Sequence, residues 1–336
     1  MKLSRRQFSK SILAGTLASG LSSLSSLTEL FAQPTTSTQQ PMNEATLVGV
    51  EHGPIVSNSG AHLNPHSHAI EDYSKLPSIH TPVSALQGLA VQRLNIRTLV
   101  SKRTIIPEPV LAPSDRISGV TYLDDDTLLV VINPDAGAAN GALPSRLLTI
   151  NEKRISSIVT ASGLNVDQGL DSVLLLRSGA LIGLITKKDG TGPAHIVEVN
   201  SRTGAVSFTN RFSLPTDRRF SALAEAPDGK LYTTVFRNNT NTELWTLDLT
   251  NRSTSVLNLT TLSGCTSKNC ANVPEITPWY HGIQSLIVTP SGQLLAHGNL
   301  EYFLPDSLYA VNLETGFMTE IDSYPVARVT LGRQAG

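Results

Sequence analysis

The chain has little of what usually announces a chemistry. It contains no Gly-x-Ser-x-Gly nucleophile turn, no paired-carboxylate signature, no phosphate-binding glycine loop and no Cys-x-x-Cys-His haem attachment. Those local patterns therefore point to no reaction. Its apolar stretch near the N-terminus, residues 11–30, is broken by Ser, Thr and Gly, whereas a membrane span needs about 20 mostly apolar residues. Basic charge is not in excess either. Setting aside residues 1–32 leaves 22 basic against 26 acidic side chains, with no basic stripe to form a nucleic-acid footprint. Cysteine is nearly absent: only Cys265 and Cys270 occur, in Gly264-Cys265-Thr266-Ser267-Lys268-Asn269-Cys270. A zinc site would need more ligands than this spacing offers. In an exported chain the expected state is a disulfide, whose short loop contributes about 2 kcal/mol by chain entropy.

Export is what the N-terminus suggests. Ser4-Arg5-Arg6-Gln7-Phe8-Ser9-Lys10 matches the twin-arginine pattern S-R-R-x-F-x-K at every fixed position, and the weakly apolar run behind it suits a signal peptide. The expected partner during export is the twin-arginine (Tat) translocase, and the expected location is periplasmic or extracellular. This route carries folded proteins, often with a cofactor already acquired. Ala32 suits the residue before a cleavage site but Leu30 is large two positions earlier, so an uncleaved signal anchor stays open as a second reading. Residues 33–95 read as a Pro/Ser/His-rich linker and N-terminal segment, with loop over 52–82 and a short amphipathic helix around Val83–Arg93.

From residue 115 the chain repeats. Apolar strand, tight turn and apolar strand recur in Gly119–Ile132, Ser172–Ile185, Ala222–Val235 and Ser285–Gly298, turning at Asp125-Asp126, Ser178-Gly179, Asp228-Gly229 and Ser291-Gly292. Such turns between apolar runs predict hairpins, here with two-residue turns. A third strand ending in Asn151, Asn200, Asp248 or Asn312 follows each, and two of these turn at Thr203-Gly204 and Thr315-Gly316 into a fourth. The fold expected is all-β: a propeller of four-stranded blades over residues 96–336. Ile96–Val100 and Thr104–Pro107 read as third and fourth strands of an earlier blade, completed by Val326–Leu331. That pairing of N- and C-terminal strands gives five blades and leaves no open edge. Six would require residues 46–95 to form a blade without the template.

Pro227-Asp228-Gly229-Lys230-Leu231-Tyr232 and Thr289-Pro290-Ser291-Gly292-Gln293-Leu294-Leu295 resemble the Pro-Asp/Ser-Gly-x-Leu hairpins of secreted propellers of the NHL, YncE and SMP-30/gluconolactonase type. The resemblance covers about residues 96–331 and implies a fold shared by binding proteins and enzymes. Gluconolactonase-like members hold a divalent cation with Glu, Asn and Asp side chains in the channel, and no such set falls in register in this chain.

The longer connections, 133–144, 299–306 and 263–281, all join second to third or fourth to first strands, and therefore open on one face, the expected working face. Candidate binding residues stand just before each first strand: Asp115, Arg116, Asp167, Gln168, Arg218, Arg219 and Tyr280. His281 and His297 flank one hairpin, with Glu301 behind them, and His62, His66 and His68 form a second cluster. Two imidazoles and a carboxylate are a ligand or acid–base set, and a divalent transition metal is the cofactor it would hold. Two functions remain open: a propeller that binds or scaffolds a small molecule or partner protein, and a metal-dependent hydrolase or oxidase.

Overall fold

A computed structural model describes residues 45–56, 62–63, 87–112, 114–134, 143–151, 153–188, 193–216, 218–237, 241–257, 263–265, 277–278, 283–298 and 306–332. The strands in chain order are β1 (Thr46–Val56), β2 (His62–Leu63), β3 (Gln87–Asn95), β4 (Ser101–Leu111), β5 (Asp115–Tyr122), β6 (Thr127–Pro134), β7 (Arg146–Asn151) and β8 (Arg154–Thr160). Then come β9 (Gln168–Leu175), β10 (Leu181–Lys187), β11 (His195–Val199), β12 (Val206–Ser213), β13 (Arg219–Glu225), β14 (Leu231–Arg237), β15 (Asn241–Asp248) and β16 (Ser253–Val256). The chain ends with β17 (Ser263–Cys265), β18 (Thr277–Pro278), β19 (Ile283–Val288), β20 (Leu294–Gly298), β21 (Ser307–Val311), β22 (Phe317–Ser323) and β23 (Arg328–Leu331).

These strands make five antiparallel blades, as the repeat predicts. Strands β5–β8, β9–β12, β13–β16 and β19–β22 each form one blade in sequential order. The fifth blade runs β23-β1-β3-β4, so the last strand of the chain pairs with the first. Five apolar cores lie between the blades, one for each neighbouring pair. The core joining Leu47 and Leu94 to Leu295 and Leu308 is the one that makes the ring continuous. A four-stranded sheet has two apolar faces to cover, and ring packing covers both. Accordingly Leu128–Ile132 of β6 are buried without alternation, while outer β8 alternates exposed and half-buried residues.

The hairpins turn on three residues, not two. In three blades a type I turn is followed by a left-handed glycine: Gly179, Gly229 and Gly292, at φ 86°, 81° and 85°. In the last of these the Gly292 N–H donates to the Thr289 carbonyl and the Thr289 N–H to that of Gln293, the hydrogen-bond pattern of a type I turn with a G1 bulge. Third-to-fourth connections reuse one asparagine device. The side-chain oxygens of Asn200 and Asn312 accept the N–H groups two and three residues on, before Gly204 and Gly316 at φ 73°.

The fifth blade corrects the reading of the N-terminal part. Asn95 makes the same turn, accepting from the N–H groups of Arg97 and Thr98, and Leu99 stands at φ 56° where the Asn200 and Asn312 copies have glycine. Residues 96–100 are therefore the turn, and the third strand is β3. The ring begins at β1, inside the stretch read as linker, and the expected helix is strand from Gln87 onward. The loop expected over 52–82 likewise holds the end of β1 and, at His62–Leu63, β2. Strand β17 extends the last blade outward, parallel to β22, with Cys265 opposite Thr319. Cys270 lies outside the described residues.

Candidate functional site

Each blade's innermost strand runs down the central channel, so the starts of β5, β9, β13, β19 and β23 share one face. Second-to-third and fourth-to-first connections open on that same face. The longest of them, 57–86 and 257–282, contrast with the short turns of the opposite face, such as 123–126 and 312–316.

Four of the five innermost strands carry a bulge at their pairing with the second strand, which leaves Ser118, Asp171, Ala222 and Gln284 without an opposite residue. A bulge re-aims a side chain and often borders a site. Below this level the channel narrows to a cavity of about 30 Å³, bordered by Ser172, Leu223, Ser285, Arg328 and Thr330 among others. That is room for little more than water at this level of the channel.

The mouth is charged. Arg116 Nη2 donates to Asp171 Oδ1 at 3.1 Å; the arginine side chain is 40% exposed and the aspartate 3%. Arg328 is buried: its Nε donates to the Ser118 carbonyl at 2.8 Å, and one Nη to Gln284 Oε1 at 3.3 Å and to the Ala327 carbonyl at 3.0 Å. Gln284 in turn donates to both oxygens of Asp306 at 3.3 Å. Burial pushes the Arg328 guanidinium down to about 10, while Asp171 and Asp306 support its charge and Arg116 and Arg219 oppose it. It stays a cation at neutral pH. Arg219 is exposed and no ion pair to it is found among the described residues. Among the described residues, three guanidinium groups and two carboxylates thus frame one opening, and these five groups together carry a charge of +1. Paired forks of this kind suit a carboxylate or phosphate.

The candidates chosen from the sequence divide. Arg116 and Arg219 belong to the mouth, and sequence reasoning missed Asp171, Gln284, Asp306 and Arg328. Asp115 is turned away and buried, with its carboxylate accepting from Arg146 and from the Ala112 N–H. Arg218 lies over the Trp245 ring at 4.6 Å from its centroid, beside Glu243 at 3.5 Å. Gln168 caps its own turn by accepting from the Asn165 N–H, and the Asp167 carbonyl accepts from the Lys188 N–H. These contacts tie each of the four to its own blade. Counting from the turns could have found two of the missed residues, since Asp171 and Gln284, like Ser118, stand eight positions before the second turn residue of their hairpins, Gly179, Gly292 and Asp126.

Of the proposed metal ligands, His281, Glu301, His66 and His68, with Tyr280 of the binding set, lie outside the described residues, and of His62 only the backbone is described. His297 is wholly buried between two blades. Its Nε2 donates to the Tyr324 carbonyl at 2.9 Å, its ring meets that of Tyr324 edge-on, and Nδ1 has no partner among the described residues. Burial, partly countered by that hydrogen bond, holds the imidazole down to about 4. Among the described residues no three His, Cys, Asp or Glu side chains are grouped to share a metal ion, and no helix is long and apolar enough to cross a membrane.

The chain is thus a five-bladed β-propeller with a charged channel mouth on its loop-elaborated face. No protein-family model and no curated protein matches it. Among solved structures it is similar to a protein of unknown function from Dyadobacter fermentans, at 10% identity over 84% of each chain with a TM-score of 0.49. It is also similar to a periplasmic gluconolactonase of Pseudomonas aeruginosa, at 9% identity over 86% of this chain and 85% of that one, TM-score 0.44. A protein of unknown function from Bacteroides caccae matches at 12% identity over 86% and 99%, TM-score 0.39. At such values the fold rests on the chain's own strand pairing.

Proposed function

We propose that this protein is exported through the twin-arginine route and acts outside the cytoplasm as a binding propeller, presenting its loop-elaborated face to a small molecule or partner protein. One observation carries the reading: the longest connections and the charged mouth share a face, while the turns that join strands on the other face are short. Long loops on a rigid ring are where binding residues concentrate. The completeness of Ser4–Lys10 supports the route.

A second reading, a metal-dependent hydrolase or oxidase using His281, His297 and Glu301, has one observation in its favour, the Nδ1 of His297, which has no partner among the described residues. A double variant, Arg5→Lys with Arg6→Lys, should accumulate in the cytoplasm, as cell fractionation would show, and normal export would remove the proposed route. Elemental analysis of the exported wild type separates the two activities. The binding reading expects no stoichiometric transition metal, and one metal per chain would favour the enzyme.

A further inference from the structure

The mouth itself specifies a ligand chemistry. Arg219 is exposed, Arg116 is 40% exposed, and Arg328 lies deeper, hydrogen-bonded to Ser118, Gln284 and Ala327. Two carboxylates, Asp171 and Asp306, stand among them, so these five described groups carry a surplus of a single positive charge. A phosphate dianion would face Asp171 and Asp306 as well as the arginines, and like charges in a partly desolvated site repel. A monoanion meets no such excess. The Oδ1 of Asp171 is taken by Arg116, and its second carboxylate oxygen accepts no hydrogen bond among the described residues, although the side chain is 97% shielded. That oxygen is open to a ligand, and a ligand hydroxyl would give it the charge-assisted hydrogen bond it lacks.

From this juxtaposition we propose that the channel mouth binds a small hydroxycarboxylate: Arg116 and Arg219 take its carboxylate, and Asp171 accepts from its hydroxyl. Arg328 and Gln284 form the floor and hold Asp306 in place. The inference rests on the binding role proposed for this face. It names the ligand class, and it requires no metal.

The test is calorimetric titration of the exported protein at low salt with glycerate and glucuronate, against acetate and inorganic phosphate. Both hydroxycarboxylates should bind, with acetate weaker for want of the hydroxyl and phosphate weaker for its second charge. Arg219→Gln should weaken glycerate about tenfold or more, the usual order for a charge-assisted contact, and Asp171→Asn should narrow the gap between glycerate and acetate. Arg219 is exposed, so its replacement leaves folding intact. Absence of binding by all four probes, tighter binding of phosphate, or an unchanged Arg219→Gln variant would each overturn the proposal. Hydrogen exchange with glucose and with glycine, probes outside this ligand class, then separates the failures. Protection on the loop-elaborated face would leave the binding role standing without this ligand class, and protection confined to the opposite face would remove both.

Discussion

Deleting residues 328–336 is expected to unfold the whole ring, not merely fray its end. Strand β23 pairs with β1 through Leu47↔Leu331 to Val50↔Arg328, and it also ties the two neighbouring blades. Arg328 donates to the Ser118 carbonyl of β5, and the Val329 N–H donates to Ser285 Oγ of β19 at 2.9 Å. Its removal would expose an unpaired edge of β1 along the channel and leave Asp171 and Asp306 without the buried cation whose charge they support. An opened edge is a template for misassembly. A loss on the order of 5 kcal/mol, set against a total stability of about 5–15 kcal/mol, leaves little folded protein at growth temperature. Thermal unfolding of the two proteins by circular dichroism checks this, and an unchanged melting temperature would mean that the ring closes elsewhere.

Acid should destabilise the ring through His297. In the folded protein its imidazole is held down to about 4, whereas in the unfolded chain it titrates near 6.5. The neutral ring is therefore favoured in the folded state. The stability it contributes is present above pH ~6.5 and is lost as the pH falls through about 4, because the unfolded chain takes up the proton first. The gap corresponds to about 3 kcal/mol. His297→Gln keeps a side-chain N–H for the Tyr324 carbonyl and removes the titration, so its denaturation midpoint should fall less than that of the wild type between pH 6.5 and 4. Parallel curves for the two proteins would contradict the burial described for His297.

Much of the ring was legible because four blades repeat one template, and repetition multiplies weak turn signals. The closing blade was not, and the reasons are local. β1 carries Glu51, His52 and Gly53 within its run, which breaks the apolar pattern. The turn at Asn95 lacks the glycine that marks the copies at Asn200 and Asn312, because Leu99 occupies the left-handed position at a cost of about 1 kcal/mol. The space left by Gly49 carries a further signal that sequence alone does not reveal. A Cβ there would lie 2.7 Å from a methyl of Val326 and 2.8 Å from the Tyr324 hydroxyl, so a glycine in β1 accommodates the segment leading into β23.

The mouth was only half legible, for a different reason. Blade cores repeat because every blade meets the same kind of neighbour, whereas residues facing the axis all share one space. Ser118, Asp171, Ala222 and Gln284 sit at the bulges of four similar strands and have nothing chemically in common. Arg116 and Arg219 announced themselves as charged residues at strand starts. Asp115 and Arg218 looked the same in sequence, and a single step along the chain turned them toward Arg146 and Trp245.

The last strand both closes the ring and carries the arginine on the floor of the mouth, so fold and site stand or fall on one pairing. Native-state hydrogen exchange of the exported protein tests it most directly. The Ala327 N–H donates to the Val50 carbonyl and the Gly332 N–H to the Thr46 carbonyl, at 2.9 and 2.6 Å. If β23 completes the closing blade, these amides exchange as slowly as those of the buried strand β6, despite lying within ten residues of the C-terminus. If they exchange at the rate of a frayed tail while β6 stays protected, the ring is not closed by this strand and the mouth described here does not exist.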